Sequence, residues 1–153
     1  MPGMKPTPGY ELINRVVSAA TVLVKESHRV FRPHGITEAQ FNILNVLGQA
    51  PEGASQRELS DELVVDRSNV TGLLDRMEKA GWVRRDDHPK DRRIYVVTLT
   101  AAGRKLWQKV LPDYLRAVDE VTAAVDTAEM RRMGEFLKRL EATAREWGKR
   151  HES

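Results

Sequence analysis

Arg67, Ser68, Asn69, Gly72 and Arg76 fall within one ten-residue stretch, and Lys90, Asp91, Arg92 and Arg93 follow as an unbroken charged run. Short side chains that donate and accept hydrogen bonds can read base edges in a duplex groove. Flanking guanidinium and ammonium groups can grip phosphate. Ser55 and Arg57 upstream add a hydroxyl and a cation of the same kind. Any amphipathic helix has a polar face, so the helical residues alone fit a solvated surface as well as a groove-reading one.

These residues need elements to hold them. Ser55 and Glu58 are spaced as a capping box, and Leu59 and Leu63 then share a helix face. Val64 and Val65 would form a tight turn, and Asp66 is a good N-cap for a helix over about Arg67 to Ala80. Its inner stripe would be Val70, Leu73, Leu74 and Met77, and Gly81 suits the left-handed residue that ends it. Trp82–Arg85 and Ile94–Leu99 read as two strands, with Asp86–Arg93 as a charged loop between them. Two short helices, a turn and a charged hairpin make the order of a winged helix-turn-helix. The hairpin tilts the reading toward nucleic acid, because an arginine at its tip could enter a narrow minor groove.

The run Asp91-Arg92-Arg93, the strand ending Leu99-Thr100 and the following Ala101-Ala102-Gly103 resemble the wing and next helix of the MarR family of bacterial transcription regulators. Leu74 to Val83 is similar to that family's recognition-helix end. The resemblance covers nearly the whole chain. Val64 departs from it, standing where the family often has glycine in the turn. The resemblance implies a mainly α fold with a small antiparallel β-wing and long terminal dimerisation helices. It further implies a homodimer on a palindromic operator, no cofactor, and a small-molecule crevice that often accepts aromatic acids. His28, Phe31, Arg32 and Trp107 are the candidates to line that crevice; ordinary packing or a solvated helix end would also explain them.

The rest of the chain supplies helices. After an unpatterned Met1–Thr7 arm, a helix from near Pro8 to near Arg32 carries a broad apolar stripe that includes Ile13, Val16, Val17, Leu23 and Val24. Pro33 and Gly35 break it, and Thr37 and Gln40 open a second helix as another capping box. Gly48–Ala54 reads as a loop. Thr100 caps a long helix reaching about Val125, with a kink expected at Pro112. Asp126 and Glu129 begin a last helix with Met133, Phe136, Leu137, Leu140 and Trp147 on one face. Residues 8–36 and 101–150 would then form the helical dimerisation region and residues 37–100 the DNA-binding domain. The terminal helices have more apolar surface than one subunit needs to cover.

Composition bounds the remaining choices. The 153 residues hold 25 basic and 22 acidic side chains, a net charge of +3, so the local clustering of charge carries more weight than the total. With no cysteine, disulfides and thiolate metal sites are excluded. The four histidines show no convergent ligand spacing, so no metal is expected. No apolar run approaches the ~18 residues of a membrane span, and a cytoplasmic location is expected. There is no nucleophile elbow or phosphate loop, and an enzyme would need a constellation that is not visible. A constitutive architectural DNA binder without an effector also remains open. At the wing, Asp91 would hold one neighbouring arginine extended for the minor groove, while the other turns back to Asp66.

Overall fold

The computed structural model describes residues 5–63, 67–88 and 91–151; the side chains of Arg67, Ser68, His88, Asp91, Arg92 and Arg93 lie outside that description. The expected arm at Met1–Met4, the Val64–Asp66 turn and cap, Lys90, and the roles given to Asp91, Arg92 and Arg93 therefore also lie outside it.

Along the chain, α1 (Pro8–Phe31) leads through a 3-10 turn (Arg32–His34) to α2 (Glu38–Gln49). A short strand β1 (Ala54–Ser55), α3 (Gln56–Leu63) and α4 (Arg67–Lys79) follow. The hairpin is β2 (Val83–His88) and β3 (Asp91–Leu99), and α5 (Ala101–Thr122) and α6 (Thr127–His151) close the chain. The fold is a mainly helical winged helix-turn-helix with a small antiparallel sheet in the order β1-β3-β2. The chain divides into two compact units, Met1–Leu115 and Arg116–Ser153.

The helix starts follow local chemistry. Thr37 and Gln40 satisfy each other's backbone donors in a complete capping box. The Ser55 amide donates to Glu58 at 2.7 Å, and the Glu58 amide donates back to the Ser55 hydroxyl at 3.2 Å. Asp126 accepts from the amides of Ala128 and Glu129 at 2.6 and 3.1 Å. α4 ends as its glycine implies. Gly81 has φ +76°, its amide donates to the Glu78 carbonyl at 2.9 Å, and the Trp82 amide reaches the Met77 carbonyl at 3.0 Å.

The core of the first unit is where α2, α3, α4 and the sheet meet. Ile43, Leu44, Leu47, Leu59, Val70, Leu74, Met77 and Val97 are wholly excluded from water. Each such side chain contributes about 1.5–3 kcal/mol by burial, so the inner stripe of α4 anchors that helix firmly. Phe31 stacks on Phe41 and Tyr114, Phe41 meets Tyr114 at a tilt, and the centroids lie 4.7–5.8 Å apart, knitting α1, α2 and α5 together. Beside them, His34 Nε2 meets Asp113 Oδ2 at 2.9 Å.

Three elements differ from expectation. Ala54–Ser55 is a strand, paired with Val97 and Val96, where a loop was expected. The hairpin extends through Asp86, Asp87 and His88 on one side and starts at Asp91 on the other, with an irregularity between Asp87 and His88. Backbone pairing does not depend on side-chain polarity, so the ladder continues through these charged positions. α5 stops at Thr122 instead of near Val125, where the Val125 amide turns back to the Thr122 carbonyl at 2.9 Å. Pro112 lies inside α5.

The hairpin and α5 meet in close contact. The Thr100 hydroxyl lies 2.6 Å from the Gly81 carbonyl and accepts from the Gly103 amide at 3.0 Å. A Cβ on Gly103 would sit 1.9 Å from the Trp82 carbonyl oxygen. Gly103→Ala should therefore destabilise the protein by about 1–3 kcal/mol, the usual cost of overpacking. In an open helix the same change would stabilise by about 0.5–1 kcal/mol. Urea unfolding decides the sign; an unchanged or raised midpoint would contradict this packing.

Candidate nucleic-acid interface

The face of α4 opposite its buried stripe carries Asn69, Thr71, Asp75 and Arg76, all exposed. Gly72 lies among them, and the Arg76 Nη1 passes 3.8 Å from where a Gly72 Cβ would be. The missing side chain leaves the Asn69–Arg76 strip low, so that a bulky surface could approach the helix backbone. Gln56 at the start of α3 donates through Nε2 to the Thr71 hydroxyl. That bond ties the two helices together at their polar rim.

Of the candidates from the sequence, the structure brings Asn69, Gly72 and Arg76 onto one helix face, and α4 places the backbone of Arg67 and Ser68 at its first turn. Arg57 is on α3 with its side chain 77% exposed, 3.9 Å from the Asp61 carboxylate. A pair that open to water holds the guanidinium weakly, so it is available to a partner. Ser55 is committed locally, in β1 and in the capping box. Asp91, Arg92 and Arg93 begin β3, and Lys90 precedes them in the chain.

Gln56 and Thr71 escaped the sequence reading, since a polar contact between helices leaves no periodic mark. Ile94 and Tyr95, read only as strand formers, are 41% and 52% exposed on the hairpin.

The four crevice candidates separate. His28 and Arg32 share an open groove of about 690 Å³ with Val24, Lys25, Glu26, Arg29 and Pro33. Glu26 bonds the Arg29 guanidinium at 2.6 Å, and that hydrogen bond holds its carboxyl below its usual range. Phe31 is instead buried in the aromatic stack. Trp107 lies flat over Gly48, where a Cβ would come within 2.4 Å of the indole, and its Nε1 donates to Asn45 Oδ1 at 3.2 Å. Among the described residues, no helix is long and apolar enough to cross a membrane.

Comparison with known proteins places this geometry. The family model described as MarR family matches residues 34–94. The transcriptional activatory protein BadR of Rhodopseudomonas palustris is 34% identical over 108 residues, 69% of this chain. The match spans 62% of BadR's own length, less than two thirds of it. The solved transcriptional regulator MOSR of M. tuberculosis, in complex with DNA, is 31% identical with a TM-score of 0.71. That likeness covers 87% of this chain and 97% of MOSR. NadR in complex with 4-hydroxyphenylacetate superposes with a TM-score of 0.78 over 92% of this chain and 97% of its own. At 24% identity, NadR shows a shared fold.

The capping role of Ser55 is open to a direct check. Ser55→Ala should cost about 1 kcal/mol of stability, as loss of an N-cap hydroxyl does. An unchanged denaturant midpoint would show that the hydroxyl is free for other work.

Proposed function

Since the chain belongs to the MarR family of winged helix-turn-helix transcription regulators, we propose that it is a homodimeric repressor that binds a palindromic operator and lets go when a small acid binds. The observation that carries DNA reading is the division of α4. Val70, Leu74 and Met77 are fully buried on one side, while Asn69 and Arg76 stand exposed on the other beside a charged hairpin. In this reading α4 enters the major groove, Asn69 and the first-turn residues Arg67 and Ser68 contact base edges, and Arg57 and Arg76 take phosphates. Lys90, Arg92 and Arg93 follow the backbone from the hairpin, with one arginine in the minor groove and Asp91 orienting it. MOSR, 31% identical and solved in complex with DNA, supports DNA binding as the function.

Exposed apolar surface supports the dimer. On α1, Ile13, Val17, Val22, Leu23 and Val24 are each close to half exposed or more. On α6, Met133, Leu137 and Trp147 are exposed at 54%, 42% and 59%. Surfaces of this kind are normally covered by a partner. For the effector, the groove at His28 and Arg32 also has Lys25, and Arg29 paired with Glu26, so Lys25 and Arg32 are the cations that would meet a carboxylate. NadR's 4-hydroxyphenylacetate is a ligand of that class. The regulator would act in the cytoplasm, where its DNA is.

The test is a binding assay on the DNA flanking the protein's own gene, repeated with aromatic carboxylic acids. Saturable, sequence-dependent binding that one acid weakens is expected, and derepression of a reporter on deletion of the gene. Binding indifferent to every sequence would favour an architectural role, and lost expression on deletion an activator. Sedimentation at micromolar concentration should show two chains joined through an interface above about 1,600 Å²; a clean monomer would sink the palindromic operator with the dimer. Asn69→Ala should cost about 1–3 kcal/mol on the specific site and little on random duplex. Equal losses on both would assign Asn69 to the backbone.

A further inference from the structure

Two carboxylates sit where a DNA-reading helix should not want them. Asp75 and Glu78 lie one turn apart on α4, on either side of Arg76, and their side chains are 58% and 43% exposed. Both are met by one residue of the hairpin. Neighbouring strand positions face opposite ways, and Arg84 and Arg85 illustrate it. Arg84 is 67% exposed and pairs within its own strand to Asp86 at 2.8 Å. Arg85 turns to α4 and is only 19% exposed. Its Nη2 donates to Asp75 Oδ1, and its backbone amide donates to Glu78 Oε1 at 3.2 Å. Its buried Nε lies 3.8 Å from Glu78 Oε2, too far for a hydrogen bond but close enough for strong attraction.

We propose that Arg85 is a positioning residue for DNA binding, a strap that sets the wing at a fixed angle to α4 by engaging Asp75 and Glu78 together. The proposal rests on the DNA-reading function inferred above. The planar guanidinium addresses one carboxylate along its fork while the Arg85 main chain addresses the other, so helix and strand are held at two points. A single contact would leave a hinge. Lysine offers a point charge on a flexible stem and cannot reproduce the planar fork. Exposed ion pairs contribute little, but this arginine is mostly withdrawn from water, which preserves the attraction. The strap also turns two negative charges on the DNA-facing helix to structural use, with a cation held against them.

The test uses the double variant Asp75→Asn with Glu78→Gln, together with Arg85→Lys, on the flanking duplex that the wild type binds. Counting charge alone, removing two carboxylates from a surface that faces phosphate should tighten binding. The strap requires the opposite: binding weaker by about tenfold, the size of one lost charge-assisted hydrogen bond. The loss should be localised. Hydroxyl-radical protection by the wing in the minor groove should fade, while guanines protected by α4 in the major groove stay protected. In the free protein, the Arg85 Nε–H resonance should exchange slowly with water and lose that protection in the double variant. Arg85→Lys should fold with an unchanged circular dichroism spectrum and show the same selective loss of wing protection. Tighter or unchanged binding by the double variant overturns the proposal. So does a uniform fading of both footprints with a lowered melting temperature, which is the sign of a folding role alone. If the wild type protects no DNA at all, the DNA-reading function itself has failed and the strap's role falls with it. Wild-type protection matched by full protection in the variants overturns only the strap.

Discussion

One backbone carbonyl ties together the helix, the hairpin and the start of α5 in the winged domain. The Trp82 oxygen accepts the Thr100 amide at 3.0 Å, has the Thr100 hydroxyl at 3.2 Å, and leaves no room for a side chain on Gly103. Trp82 follows the end of α4 and precedes β2, while Thr100 follows β3 and precedes α5. The recognition helix, both strands of the wing and the helix that leaves the domain therefore converge on a single peptide group. Polar bonds at such a point have direction, unlike apolar contacts, so they set angles as well as distances. The buried stripe of α4 supplies the energy that holds the helix down, and the Trp82 junction supplies the orientation.

Much of this was legible in the residues. The inner stripe of α4 was readable because its spacing matches a helical repeat, and Val70, Leu74 and Met77 are indeed fully buried. Capping boxes at Thr37 and Ser55 were readable because they are local, spanning one turn. The Gly81 terminus followed from the need for a left-handed residue. What escaped the sequence was non-local. β1 is only two residues long and exists because Val96 and Val97 present an edge to it. The full length of the hairpin escaped because charged residues without alternation look like a loop, while backbone pairing is indifferent to them. The contact of Arg85 with Asp75 and Glu78 crosses from strand to helix, and an arginine beside another arginine gives no sign of which one turns inward. Of the crevice candidates, Phe31 and Trp107 were chosen for chemistry that aromatic packing uses just as readily.

The helices and hairpin of the first unit carry Asn69 and Arg76 exposed on α4 and Arg57 exposed on α3, where the proposed base and phosphate contacts would be made. The terminal helices have the contrary character: α6 has no buried residue, and α1 has only Phe31. Helices of that composition leave apolar surface open, and in the proposed dimer a second copy of the chain would cover it and give two α4 helices a two-fold relation. In the proposed dimer, repression by occupancy and release by an effector would follow from coupling between the terminal helices and the spacing of the two reading heads.

The central claim is that two such heads read one duplex. The most direct measurement is repeated selection of duplexes from a randomised pool by the full-length protein, with sequencing of the survivors. The account predicts an inverted repeat whose half-sites are centred about one helical turn, ~34 Å, apart. Enrichment of a single unrepeated half-site, or no enrichment over the starting pool, would contradict it.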